Sequence, residues 1–451
     1  MNISVIGLGK LGLCTAACFA SKGHQVIGVD TNQSVLDKLR MKECPIDEPD
    51  LEELLEMAWA NLTLADNTSK AISDSEIALI IVPTPSRPNG KFTNEYVDNV
   101  LETLAPALKK KDSFHVIDVV STVMPGSCDS RFRPLLEKIS GKACGVDFGL
   151  VYNPEFIALG SVIKDFLNPD MVLVGASDKR SGDMVKKLYL STCESSPDIK
   201  VMSLINAEIT KLSLNCFVTM KISFANELAS ICEKVPGANV DAITNALGSD
   251  TRIGSKYLKG GLGFGGPCFP RDNQAFQTFA RESGVDPRLG PQVVAINNSV
   301  VDRLFNIISK NTNPGDKIAL LGLSYKPGTH IIEESQSIML AKKLVNAGYS
   351  ISVHDPIVMD SVKMVIGQKV YYFDDPYVAA RNAHALLLLT DWPMYYNLDW
   401  QRLEQLLARD ALLLDTWRVA DTKFWKRVRY MGLGFGSSFS CGRKRGDKWK
   451  R

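Results

Sequence analysis

The chain is poor in the residues that build metal centres and staples. It has five histidines in 451 residues, and its ten cysteines include no CxxC pair. HExxH is absent as well, so neither a structural zinc nor a disulfide framework is expected. Free thiols point instead to a reducing, cytoplasmic setting. No apolar run is long enough to span a bilayer. Residues 11–20 have the apolar character of a signal-peptide core, but a strand, a turn and a helix account for them better. Net charge is also nearly absent, at +2. Residues 442–451 carry six Lys/Arg and one Asp, which leaves about −3 for the rest. The body is nearly neutral; its basic end could touch nucleic acid or a membrane surface, but no nucleic-acid partner and no membrane insertion are expected. The basic end follows the Gly/Ser-rich residues 432–440 and reads as a solvated, disordered tail without a catalytic role.

What is present is an ordinary globular composition, 45% apolar and 23% charged, long enough for about three domains. Short Val/Ile-rich runs at 3–6, 25–29, 77–82, 115–120 and 149–152 alternate with helix-like stretches. A second series stands at 317–323, 350–354, 385–389 and 412–414. The alternation predicts an α/β fold with two Rossmann-like, doubly wound parallel sheets. Between the two series, residues 204–235 read as one long central helix, apolar on most faces, which suits a buried connector or a subunit contact.

The first strand runs into Gly7, Leu8, Gly9, Lys10, Leu11 and Gly12, then a helix, and Asp30 ends the second strand. Strand, glycine turn, helix and acid at this spacing form a dinucleotide fingerprint. The helix start offers N–H groups to a pyrophosphate. Asp30 can accept from ribose hydroxyls and would repel a 2′-phosphate, so the cofactor is NAD. Thr84 and Pro85, and Ser121 and Thr122, each follow an apolar strand; their hydroxyls serve a ligand at the sheet's carboxyl edge or cap a helix. Glu155 and Phe156 follow another strand, where a glutamate orients water or substrate or is merely solvated. Lys211 and Asn215, four apart, share one face of the long helix and could stabilise an oxyanion, or the lysine snorkels to solvent. The glycine-rich stretch 260–266 ends at Pro267 and Cys268, with Asp272 four residues on. Its glycines let backbone approach a polar ligand, and a cysteine so placed suits a nucleophile. No metal site is expected.

Taken in this order, the motifs resemble the nucleotide-sugar 6-dehydrogenases, a family that oxidises UDP-glucose to UDP-glucuronate or GDP-mannose to GDP-mannuronate. The likeness extends to about Asp421. It implies an NAD-binding Rossmann domain at 1–200, a central helical dimerisation segment with the cysteine loop at 201–300, a Rossmann-like nucleotide-sugar domain at 301–430, and the basic tail at 431–451. It further implies that Cys268 is the nucleophile, that Lys211 and Asn215 hold the developing oxyanion, that Asp272 and Thr122 orient a water, and that Glu155 assists thioester hydrolysis. Substrate contacts are implied for Glu155, Phe156, Lys211, Asn215, Arg252, Tyr257 and Lys259. Gly260, Gly261, Phe264, Gly265, Tyr325, Lys326 and Arg418 complete them. Arg252 would reach a neighbouring subunit's site, giving a homodimer or larger homo-oligomer.

Four positions depart from the resemblance: Leu159 where a second glutamate is usual, Glu333 where an arginine is usual, Val35 in place of an arginine near the adenosine ribose, and Pro267 before the cysteine. Activity is expected to survive them. A UDP-sugar is the favoured substrate and UDP-glucose the first choice. GDP-mannose, another UDP-sugar, or a binding protein with impaired turnover are the alternatives.

Overall fold

A computed structural model describes residues 1–65 and 67–436. The basic end, 442–451, lies outside the described residues. The described chain divides into two compact units, 1–214 and 215–451 as numbered.

The first unit carries an eight-stranded sheet. Its strands are β1 (Asn2–Ile6), β2 (Gln25–Val29), β3 (Leu62–Leu64), β4 (Ile77–Ile80), β5 (His115–Val119), β6 (Phe148–Tyr152), β7 (Met171–Ala176) and β8 (Asp198–Met202), in spatial order 3-2-1-4-5-6-7-8. Every residue of β4, β5 and β6 is buried, as expected where helices cover both faces of a parallel sheet. Side-chain alternation splits β1 between two cores: Ile3 and Val5 belong to one, Ile6 to the other. The order reverses beside β1, at the β1/β4 junction, where ligands bind in this architecture.

The second unit repeats the plan. Strands β9 (Lys317–Leu321), β10 (Ser350–His354), β11 (Tyr371–Tyr372), β12 (Ala385–Leu388), β13 (Leu412–Asp415) and β14 (Arg429–Gly432) lie in order 11-10-9-12-13-14. All its pairings are parallel. The long helix spans Leu204–Cys232, 29 residues, and the division between units falls inside it.

Two details differ from the sequence reading. The first sheet is not wholly parallel: β6 and β7 pair antiparallel over Val151↔Ala176 and Tyr152↔Gly175. The chain between them holds one short helix, Val162–Leu167, and re-enters from the end at which it left instead of crossing over. β4 also stops at Ile80, short of 82, because Pro83 and Pro85 supply no N–H to a ladder.

Candidate active site

The three fingerprint glycines have three different reasons to be glycine. Gly7 has φ +99°, and a Cβ there would lie 2.2 Å from the Ile81 carbonyl oxygen. Gly12 sits where a Cβ would lie 1.9 Å from the Gly7 oxygen, so the helix Lys10–Ser21 packs on the turn itself. At Gly9 a Cβ would meet nothing within 4 Å. The protein keeps that space open, at the N-cap of the helix, and it fits a pyrophosphate. Asp30 Oδ2 accepts from the Leu8 amide at 2.5 Å and Oδ1 from Asn32 at 2.7 Å, so the acid is already held at the end of β2. Lys10 is paired with the buried Glu48 at 3.1 Å. Val35 packs against the apolar core.

The Thr84 and Ser121 hydroxyls at the sheet edge neither cap helices nor hang free. Thr84 Oγ1 donates to the Thr122 carbonyl at 2.6 Å. Ser121 Oγ donates to the Val82 carbonyl at 2.7 Å and accepts from its amide at 2.9 Å. They stitch the ends of β4 and β5 together and so fix Thr122 and Pro85.

Beyond β6, Glu155 accepts from the Tyr189 hydroxyl at 2.6 Å through Oε1. Lys211 Nζ donates to the Glu155 carbonyl at 2.5 Å and stands 4.6 Å above the Phe156 ring. Lys211 is buried, not snorkelling. Burial pushes the Glu155 carboxyl up to about 7, against the opposing pull of Tyr189 and Lys211. A carboxyl poised there can both take and return a proton near neutrality. Leu159 packs on the core beside this segment.

In the second unit, Cys268 is the N-cap of the helix Phe269–Glu282 and is exposed, the only exposed cysteine among the nine described. Burial, by contrast, drives the Cys216 and Cys14 thiols up to about 12. Asp272 is buried in the first turn behind Cys268, and Asn215 Nδ2 donates to its Oδ2 at 2.6 Å. The Tyr325 ring borders the loop at Gly266, where a Cβ would approach it to 2.6 Å. Burial, then Cys268, lifts the Tyr325 phenol to about 12.

The loop glycines do not leave their backbone open to a ligand, as the sequence suggested. Gly261 faces Trp417, Gly263 faces Asn297 and Gln336, and Gly265 faces the Glu334 carbonyl. The amides are also engaged: Gly261 donates to Asn226 at 2.9 Å, Gly263 to Gln336 at 2.7 Å, Phe264 to Asn297 at 2.7 Å, and Gly266 to the Glu333 carbonyl at 3.0 Å. Glycine is needed here so that the loop can press against three helices and hold Cys268 at its end. The departure at Glu333 thus lies in a backbone segment that braces the Cys268 loop. Gly260 is buried in the same loop, Tyr257 takes a left-handed φ of +63°, and Phe264 stacks edge-on to Phe269 at 6.3 Å.

After β9, Gly322 (φ +97°) repeats the turn of Gly7, and Asp355 repeats Asp30 by accepting from the Leu323 amide at 2.7 Å. Asp355 also takes the Ser324, Ile357 and Val358 amides and the Trp392 indole. A carboxylate so fully engaged has little left for a ribose. Lys326 stands 5.8 Å from the Tyr325 ring, and Lys259 stands 5.3 Å from that of Trp417. Arg418 spends all five of its donors on protein: Asp241 through both oxygens, and the carbonyls of Thr416, Leu433 and Gly260. Arg252 is exposed and pairs with Asp250 on its own turn, at 2.6 Å.

Profiles of one family match in succession: its NAD-binding domain over residues 1–192, its central domain over 205–299 and its UDP-binding domain over 319–422. The chain belongs to the UDP-glucose/GDP-mannose dehydrogenase family. A UDP-glucose 6-dehydrogenase from Haloferax volcanii is 34% identical over 402 residues, 88% of this chain and 93% of its own. A GDP-mannose 6-dehydrogenase from Pseudomonas syringae is 36% identical over 361 residues, 79% and 81% of the two chains. Among solved structures, a UDP-glucose dehydrogenase from Pyrobaculum islandicum has a TM-score of 0.85 at 32% identity, covering 96% of this chain and 97% of that one. The protein is therefore an NAD-dependent nucleotide-sugar dehydrogenase, and the space at Gly9 and the placement of Asp30 fit that cofactor.

Several residues of the dehydrogenase escaped the sequence reading. Glu48 joins the fingerprint helix, through Lys10, to the amides of Gly160 and Val162. Tyr189, Asn226, Asn297 and Gln336 hold site segments in place without belonging to any motif. One signal was available. Asn215, Thr219, Ser223 and Asn226 form a polar stripe at helical spacing on a mostly apolar helix, and each makes a bond to a neighbouring segment.

Proposed function

We propose that the enzyme oxidises UDP-glucose at C6 to UDP-glucuronate, with Cys268 holding the sugar covalently between two oxidations. The observation that carries this reading is the lone exposed thiol among the described cysteines, at a helix N-terminus, with the Asn215–Asp272 pair behind it. Converting a primary alcohol to an acid removes two hydrides from one carbon. NAD supplies the acceptor for each. An aldehyde releases hydride only once a nucleophile has made its carbon tetrahedral, and the Cys268 thiolate does so, giving a thiohemiacetal and then a thioester. Lys211 and Asn215 stabilise the oxyanion, Asp272 and Thr122 orient a water that takes the proton, and Glu155 serves the hydrolysis. Lys326 suits the nucleotide diphosphate. Arg418 acts through Gly260, as its hydrogen bonds support.

The working enzyme is a cytoplasmic homodimer in this reading. Phe217, Phe224 and Ile231 are exposed at seven-residue spacing along the long helix, an apolar stripe that a second copy would cover. Arg252, exposed and paired with Asp250 on its own turn, suits the partner's substrate. GDP-mannose remains the second substrate because the Pseudomonas syringae relative is as similar as the UDP-glucose enzymes. Incubation of purified protein with NAD and a panel of UDP- and GDP-sugars decides. Two NADH per UDP-glucose are expected. One NADH would reduce the enzyme to an alcohol dehydrogenase, and preference for GDP-mannose would replace the substrate.

A further inference from the structure

We propose that Tyr189 is the positioning residue for Glu155 in hydrolysis of the Cys268 thioester, an inference that rests on the role given to Glu155 above. Tyr189 lies on the helix Lys179–Leu190 and is almost completely buried. Its ring is wedged edge-on to Phe19 at 5.9 Å and against Phe166 at 5.7 Å, so the hydroxyl has one place to be. From there it donates to Glu155 Oε1 at 2.6 Å. Lys211, donating to the carbonyl of the same residue, pins the backbone while Tyr189 pins the side chain. Two independent contacts on one glutamate leave its second oxygen as the reactive one.

In the step this serves, the second oxygen takes a proton from water as the water oxygen bonds the thioester carbon. The carbon–sulfur bond then breaks, and the proton passes to the departing sulfur. Glu155 must therefore be a carboxylate at the start. The groups around it set when that holds. Asp118 faces it from β5, Cys18 from the helix Lys10–Ser21, Cys193 from just past the tyrosine's own helix, and Lys211 from the long helix. Burial pushes the Asp118 carboxyl well up, and neither of its oxygens has a hydrogen-bond partner. Cys18 is likewise raised and Cys193 pushed to about 11. Burial opposes charge on Asp118, Cys18 and Cys193, and the Tyr189 hydroxyl and Lys211 are the contacts that favour the Glu155 anion. A bond donated to the charged form lowers the group's pKa; removing it raises the value.

The test measures the thioester-hydrolysis phase after the NADH burst, across pH on both sides of neutrality, in the full-length enzyme with NAD and UDP-glucose. The wild type should lose rate on the acid side with a midpoint near 7. Tyr189→Phe should move that limb up by about one pH unit, and slow hydrolysis about fivefold at neutral pH. Glu155→Gln should abolish the limb, and adding Tyr189→Phe to it should change nothing further. A limb unaltered in Glu155→Gln would remove the glutamate's role and the inference with it. A limb lost in Glu155→Gln but unshifted in Tyr189→Phe, or a further rate loss in the double variant, would overturn the tyrosine alone. Should Tyr189→Phe fail to fold, 3-fluorotyrosine placed at position 189, whose more acidic hydroxyl is the stronger donor, gives the answer. The acid limb should then move to lower pH, and a limb that stays at the wild-type midpoint contradicts the positioning.

Discussion

Exchanging glycine for alanine at two places three residues apart should produce opposite defects. At Gly12 the new Cβ would stand 1.9 Å from the Gly7 oxygen, where real Cβ contacts essentially never fall under 3.0 Å. About 1 Å must open between the turn and the helix Lys10–Ser21, whose residues from Gly12 to Ala20 are all buried. The helix cannot yield without opening the core, so overpacking should cost about 1–3 kcal/mol. That corresponds to a fall in Tm of roughly 2–12 °C for a unit of this size. Gly9 has φ −66°, ordinary for alanine, and its Cβ would meet no protein atom within 4 Å. Gly9→Ala should therefore fold with a loss within about 1 kcal/mol, that of a weaker N-cap. Its methyl would occupy the space through which a pyrophosphate approaches, and NAD affinity should fall by about 10- to 100-fold. Thermal unfolding without ligand and calorimetric titration with NAD separate the two effects. Wild-type NAD binding by Gly9→Ala, or a normally stable Gly12→Ala, would refute the assignment of the glycines.

Asp118→Val should stabilise the first unit by about 1–3 kcal/mol, because it removes a fully buried carboxyl with both oxygens unpartnered. Burial raises the folded-state value above the unfolded one. Wild-type stability from this group is thus whole below about pH 4 and is lost with rising pH, by at most about 1.4 kcal/mol per unit, until the folded-state value is passed. The gain in denaturant melts should accordingly grow with pH; a pH-independent difference would contradict it. Joint replacement of Phe217 and Phe224 by aspartate should leave the monomer folded but shift sedimentation from dimer to monomer at micromolar protein, and an unchanged dimer would remove the stripe from the interface.

Much of the fold was legible because buried parallel strands are short Val/Ile runs with little ambiguity: β1, β2, β4, β5 and β6 of the first unit and β9, β10, β12 and β13 of the second all fall where the pattern put them. Of the strands it did not expect, β3, β8, β11 and β14 stand at the sheet edges, where length or apolar content drops, whereas β7 is as apolar as its neighbours and was passed over without that cause. The fingerprint was readable to the single glycine, since Gly7 and Gly12 each sit under a steric demand of their own and Gly9 keeps a space open at the helix start. The cysteine loop was readable as a feature and misread in its physics: its glycines serve packing against Trp417, Gln336 and the Glu334 carbonyl, contacts made by residues some 70 to 150 positions away that no local pattern announces. Arg418 shows the same limit. Motif likeness pointed it at the nucleotide, whereas its five bonds go to Asp241 and three carbonyls, which only the folded chain could reveal.

The covalent role of Cys268 is tested most directly by quenching the enzyme during turnover with NAD and UDP-glucose and weighing its peptides. The account predicts a uronyl thioester on the peptide that contains Cys268, accumulating when Glu155 is replaced by glutamine. Full conversion to the acid with that peptide unmodified throughout, or by a Cys268→Ala enzyme at the normal rate, would contradict it.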